Sequence, residues 1–223
     1  MKKMFFVASV CTALILAGCA SSPKAAAPVS KHVEREIIDW KGAAIGSPVP
    51  AWVESAINGD KAAFMKMEQF EGKMVLIADQ RGKNENALKS WVNNVDVKGG
   101  MAKSLSDFVI AKFGSEGQGS PDEAEEWDSF MSEMTSTFSK MEVNGMLREM
   151  DYWVKTRTFD KDSKTSEDLY QYIVVYSIDK SIFNEQLEKA LGHIEVKNEK
   201  QKKMKDDVKA GILEAQVFGE SNE

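Results

Sequence analysis

The chain has 223 residues with 29 Lys and Arg against 35 Asp and Glu, a formal net charge of −6, which becomes about −8 when residues 1–18, with Lys2 and Lys3, are set aside. A surface of that sign disfavours nucleic acid and anionic headgroups as partners. The two cysteines are Cys11 and Cys19, so nothing beyond residue 19 can build a disulfide, a zinc–thiolate centre or a thiol nucleophile, and stability has to come from apolar burial.

Met1-Lys2-Lys3 is a short basic start, Phe5 to Leu16 a mostly apolar stretch, and Leu16-Ala17-Gly18-Cys19 closes it with small residues. The stretch is too short to span a bilayer comfortably and has the layout of a cleaved secretory signal peptide. Its end resembles the lipobox of bacterial lipoproteins. That resemblance implies cleavage before Cys19 and acyl chains, typically palmitate, on Cys19, through which the chain is held to a membrane. Two or more acyl chains give a stable anchor where one gives reversible binding. Ala20 stands where enterobacterial lipoproteins kept at the inner membrane carry Asp, so the expected address is the outer membrane with the domain facing the periplasm. Residues 19–45 read as lipidated cysteine and tether, because Ala20 to Ser30 is small and Pro-containing.

Within residues 31–41, Val33, Ile37, Ile38 and Trp40 recur at near-helical spacing and predict a short helix. Gly46 to Val53, with Pro48 and Pro50, predicts a break in regular structure, with Trp52 folded back over the core. Lys73 to Asp79 is a compact apolar run and predicts a strand. A long helix is expected over 86–113, with Leu88, Trp91, Val92, Val95, Leu105, Phe108, Val109 and Phe113 on one stripe and a split at Gly99-Gly100. Ser120-Pro121-Asp122-Glu123 offers a capping hydroxyl, proline at the first helical position and a carboxylate that can reach back to the cap. It heads the best-specified helix, with Trp127, Phe130, Met131, Met134, Phe138 and Met141 at spacings of three and four.

Val143 to Phe159 and Leu169 to Ile178 then predict two strands joined as a hairpin by polar residues 160–168. Ile182, Phe183, Leu187, Leu191 and Ile194 mark the next helix. Its continuation from Lys197 to Val217 is highly charged, with Met204, Val208, Ile212 and Val217 on a thin stripe, which makes it a solvated helix or one that finds a partner. The fold class that follows is α+β: a small antiparallel sheet with a long helix packed across it, plus further helices. The expected domain is 46–196, and 197–223 is a charged helical tail.

The lipobox, Pro50-Ala51-Trp52-Val53, a strand before a long helix, and Asp151-Tyr152-Trp153 followed by Tyr170-Gln171-Tyr172-Ile173-Val174-Val175-Tyr176-Ser177-Ile178-Asp179-Lys180 together resemble the LPP20-type bacterial lipoproteins over about residues 46–192. The chain departs from that pattern at Asn84 to Lys89, where an Ala-Arg-rich helix start is expected, and in the acidic helical stretch 114–141. The resemblance implies an envelope location and, for some members, association with flagellar outer-membrane structures; it supplies no catalytic residues.

Patterns that could carry chemistry are incomplete. Gly99 to Ser104 resembles a phosphate loop with Val97 and Ala102 where glycines are needed. Asp160, Asp162 and Asp168 sit at calcium-loop positions, but Lys164, Thr165 and Gln171 occupy others that need a ligand or glycine, so a solvated hairpin loop is the better reading. His32 and His193 are too isolated to pair on a metal. Asp122, Glu123, Glu125, Glu126 and Asp128 could suggest paired acids for glycan hydrolysis, but they lie where acids complement a helix dipole. Lys197, Lys200, Lys202, Lys203 and Lys205 are interleaved with Glu199, Asp206 and Asp207 and read as a solvated face.

Tyr170, Tyr172, Val174 and Tyr176 share one strand face opposite Leu169, Ile173 and Val175, and with Trp153 they could form an exposed binding platform or a covered core layer. Cover on both faces is expected, because both are apolar. The expected function is a non-enzymatic, lipid-anchored envelope protein that contacts flagellar or other envelope proteins or self-associates, without cofactor or metal. A peptidoglycan- or ligand-binding module is the alternative reading, and an unrecognised hydrolase the remaining one.

Overall fold

The structure, a computed structural model, describes residues 33–114, 121–160 and 165–219. Cys11, Cys19, the signal segment, His32, the Ser120 cap, the Asp122 and Glu123 side chains, and Asp162 and Lys164 lie outside the described residues.

A five-stranded sheet organises the fold in the order β1-β3-β4-β2-β5. Its strands are β1 (Val33–Trp40), β2 (Lys73–Gly82), β3 (Leu147–Asp160), β4 (Thr165–Asp179) and β5 (Val217–Gly219). All neighbours are antiparallel except β2 and β5, which run parallel. The expected hairpin is β3–β4, and its register runs from Asp160↔Thr165 to Leu147↔Ser177. The α+β class holds, with a sheet that is antiparallel apart from the short β5.

Two helices, α1 (Ala51–Ile57) and α2 (Lys61–Met65), precede β2. Five more follow: α3 (Glu85–Asn93), α4 (Val97–Phe113), α5 (Pro121–Ser139), α6 (Lys180–Gly192) and α7 (Glu199–Ala215). Side-chain caps begin most of them. Asp60 accepts from Ala63 N, Asn84 from Ala87 N, Asp96 from Gly99 N, Asp179 from Ser181 N and Asn198 from Gln201 N, each satisfying one backbone donor that the first turn leaves without a helical partner.

The sheet is covered on both sides. One face presents Met74, Leu76, Tyr172, Val174, Tyr176 and Ile178 to a core completed by α3 to α7, with Leu105, Met134, Phe138, Phe183, Leu187 and Ile212 wholly buried. The opposite face presents Val75, Tyr152, Val154, Ile173 and Val175 to Val53 of α1 and Phe64 of α2. The predicted split of the long helix occurs, but four residues earlier, at Asn94 to Asp96. Gly99 lies in the first turn of α4, where a Cβ would stand 2.2 Å from Asp96 Oδ2. That glycine makes room for the cap and does not interrupt the helix.

The expected short helix over 31–41 is instead the edge strand β1. A bulge between Ile37 and Asp39 inserts Ile38 into the ladder. It brings Ile37 and Trp40, three apart, onto the same face, where both pack on the Tyr152 and Val154 cluster. A bulged strand therefore reproduces helical spacing over a few residues. The break at Gly46 to Val53 ends sooner than expected: Pro50 is the extended residue before α1, and Trp52 is already helical, its ring edge-on to Tyr152 with centroids 6.1 Å apart.

The packed body is wider than residues 46–196. β1 pairs with β3, and Met204, Val208 and Ile212 of α7 are buried in the main core. The chain then reverses at Gln216, a non-glycine residue with φ of 53°, so that Phe218 of β5 reaches the same core.

Candidate functional site

The aromatic residues of the hairpin do converge. Cross-strand pairing sets Trp153 beside Tyr172 and Lys155 beside Tyr170. The Trp153 ring stacks on Tyr172, with centroids 6.4 Å apart and planes at 26°, and meets Tyr170 edge-on at 6.0 Å. Lys155 Nζ lies 5.5 Å from the Tyr170 ring centre. This ladder is mostly core: Tyr172 and Tyr176 are buried, and Trp153 and Tyr170 are half-buried against the same cluster. Burial, reinforced by the nearby Glu85 carboxylate, pushes the Tyr172 hydroxyl up to about 12, although no hydrogen bond of normal geometry satisfies that oxygen. Stacking on a sugar needs an open ring face, and here the helices take most of that surface.

The acids and histidines singled out by sequence are distributed. Glu125, Glu126 and Asp128 are exposed along α5. Asp168 is held by Arg157, whose Nε and Nη2 donate to its two oxygens at 2.7 and 2.9 Å; this bidentate pair, with Lys155 beyond, keeps its carboxyl below the usual range. Gly99 to Ser104 is helical and its Lys103 lies 3.1 Å from Asp107. Among the described residues, no group of three or more His, Asp or Glu is arranged to hold a metal ion.

His193 caps the end of α6 and lines a cleft of about 470 Å³ with Lys140, Asn144, Gln186 and Lys189. There Gln186 clamps the chain by accepting from Asn144 N at 2.8 Å and donating to Asn144 O at 2.9 Å.

The charged face of α7 is partly structural. Lys200 Nζ stands 4.7 Å over the Trp127 ring, and Lys205 donates to Ile194 O at 3.4 Å. The other three lysines of that cluster are exposed.

Two polar constellations escaped sequence reasoning, both on the face covered by α1 and α2. In the first, Glu149 is the extra residue of a second bulge, between Arg148 and Met150. Its Oε1 accepts from the buried Ser177 hydroxyl and, at 2.8 Å, from Lys73 Nζ. Lys73 and then Ser177 hold the Glu149 carboxyl below its ordinary range. In the second, Gln171 is 2% exposed and donates through Nε2 to Asp79 Oδ2 at 2.7 Å, while Arg81 Nε lies 4.0 Å from the same oxygen. Burial, and then the positive charge of Arg81, lower the Arg35 guanidinium on β1. A signal was present: Asp79 and Arg81 alternate on β2, and Gln171 is the polar residue inside the apolar run of β4. Polar side chains at inward strand positions need partners.

Comparison with protein-family models, with curated proteins and with solved structures finds no match. No helix among the described residues is long and apolar enough to cross a membrane.

Proposed function

We propose that the chain is a lipid-anchored protein of the bacterial cell envelope with an interaction or scaffolding role and no catalytic activity of its own. The observation that carries this reading is Leu16-Ala17-Gly18-Cys19 behind a basic, apolar start: small residues ending a short apolar stretch are what a signal processed at a lipidated cysteine requires. The resemblance of residues 46–192 to LPP20-type lipoproteins supports outer-membrane or flagellar assemblies as partners. An interaction role is supported by the described residues, among which Glu149 and Asp168 are engaged in holding strands together and Glu125 and Glu126 are exposed on a helix face.

The test is the Cys19→Ala variant of the full chain expressed in a bacterial host. Loss of palmitate labelling, together with release of the domain into the soluble periplasmic fraction or accumulation of unprocessed precursor, is the expected result. A correctly cleaved Cys19→Ala product that stays fully with the membrane contradicts the anchor. Crosslinking in intact cells then reads the partners directly; a reproducible outer-membrane or flagellar neighbour is expected.

A further inference from the structure

We propose that the cleft between the end of α5 and the last turns of α6 binds the phosphate group of a small phosphomonoester, with Lys140 and Lys189 as its principal contacts. Lys140 follows the last residue of α5 and Lys189 lies in the last turn of α6. Both line the same cleft of about 470 Å³, a size ordinary for a small-molecule site. Neither ammonium group has an ion-pair or hydrogen-bond partner among the described residues. Elsewhere lysines are matched with acids, as Lys73 is with Glu149, Lys89 with Glu85 and Lys209 with Glu188. A third ammonium group stands beside the cleft: Lys98 Nζ donates to Asn144 Oδ1 at 2.6 Å, and that amide is neutral and leaves the charge uncancelled. The wall is fixed before any ligand arrives. Gln186 holds both backbone atoms of Asn144, at 2.8 and 2.9 Å, and Asn144 Nδ2 donates to Glu142 O at 3.3 Å, so little freedom is lost on binding. The carbonyls at these helix ends do not supply the missing anion, because Phe138 O, Ala190 O and Leu191 O already accept from Met141 N, His193 N and Ile194 N.

The charges and their chemistry select the ligand. Three ammonium groups against the Glu142 carboxylate in the lining leave two positive side-chain charges in excess, which a phosphomonoester dianion matches. Lysine is a compact point charge without the planar fork of arginine, so it suits tetrahedral oxygens reached from separate walls better than a flat carboxylate. The Thr137 hydroxyl and the His193 ring line the same cleft and are able to donate to such oxygens. The site belongs to the folded body and does not rest on the anchor at Cys19, so failure of either reading leaves the other standing.

The experiment titrates the full chain with inorganic phosphate and with glycerol 2-phosphate, against sodium acetate and against vesicles of phosphatidylglycerol and phosphatidylcholine. Ionic strength is matched and the pH held at about 8, above the second ionisation of a phosphomonoester at about 6. The chain has two histidines, so the His193 ring protons are followed directly by nuclear magnetic resonance and assigned through His193→Gln. Saturable movement by both phosphates is expected, with roughly tenfold weaker binding in Lys140→Gln and in Lys189→Gln and about threefold tighter binding in Glu142→Gln, which removes a repelling charge. The Glu142→Gln result runs in the opposite direction, so it tests the site even where a lysine variant unfolds. Binding confined to the vesicles overturns the choice of a small phosphomonoester, and equal movement by acetate overturns the choice of phosphate. Shifts that do not saturate, or that are the same in the parent and in both lysine variants, overturn the site and leave Lys140 and Lys189 as groups that only complement the helix ends.

Discussion

The two faces of the sheet are built from the same strands and finished in different ways. On one side, helices α3 to α7 bring their own interlocking apolar stripes, so that Phe138, Met134 and Leu187 are buried among helices as much as against strands. On the other, α1 and α2 are 7 and 5 residues long, too short to be helical by themselves, and their buried Val53 and Phe64 depend on the sheet for cover. The thick face stabilises the fold. The thin face is where Asp79, Arg81, Gln171 and Glu149 carry polar chemistry close to solvent. The two sides of one sheet are thus packed unequally, and the thinner side is expected to open at lower cost.

The sharpest way to break that division is to remove one phenylalanine from each side. Phe138→Ala is expected to lower global stability by about 3–5 kcal/mol, read as a cooperative fall in the denaturation midpoint. Phe64→Ala is expected to act locally: amide exchange rises in α1 and α2 while α4 to α6 keep their protection. Equal loss of protection everywhere would mean that the faces unfold as one. At the margin of the thick face, Gly99→Ala drives a Cβ into the Asp96 cap and is expected to cost about 1–2 kcal/mol. Gly100→Ala, whose Cβ would meet only Leu76 Cδ2 at 3.7 Å, is expected to gain about 0.5–1 kcal/mol; thermal melts of the two variants should move in opposite directions.

Lys200→Ala removes the cation over Trp127 and is expected to cost about 0.5–1 kcal/mol, with a change in tryptophan emission. The smallest effect is on the thin face. Glu149 has a folded value below its unfolded one, so its contribution is complete above the unfolded carboxyl range of about 4.3 and disappears as pH falls through the lower folded value. Glu149→Gln is therefore expected to differ from the parent most near neutral pH and to converge with it in acid, measured by urea denaturation across that range.

What could be read from sequence were the elements whose signals lie within a turn or two. Trp127 to Met141 specify α5 by spacing, Ile182 to Ile194 specify α6, and the β-branched and aromatic run from Leu169 to Ile178 specifies β4 with its two apolar faces. The run ending at Cys19, which resembles a lipobox, is equally local, and so is the function proposed from it. The tertiary structure decided the rest. The Ile38 bulge turned a helix-like pattern into an edge strand, because pairing with β3 outweighs the weak preference of eight residues. The Asp96 cap decided that Gly99 begins a helix. The charged residues 199–215 became a core helix because α4 and α6 left an apolar groove for Met204, Val208 and Ile212, and three residues after Gln216 became a strand because β2 had an open edge. Convergence of Asp79, Arg81 and Gln171 from β2 and β4 was likewise beyond local reading: which side chains meet across strands depends on strand order and register, and those are set by contacts between residues far apart in the chain.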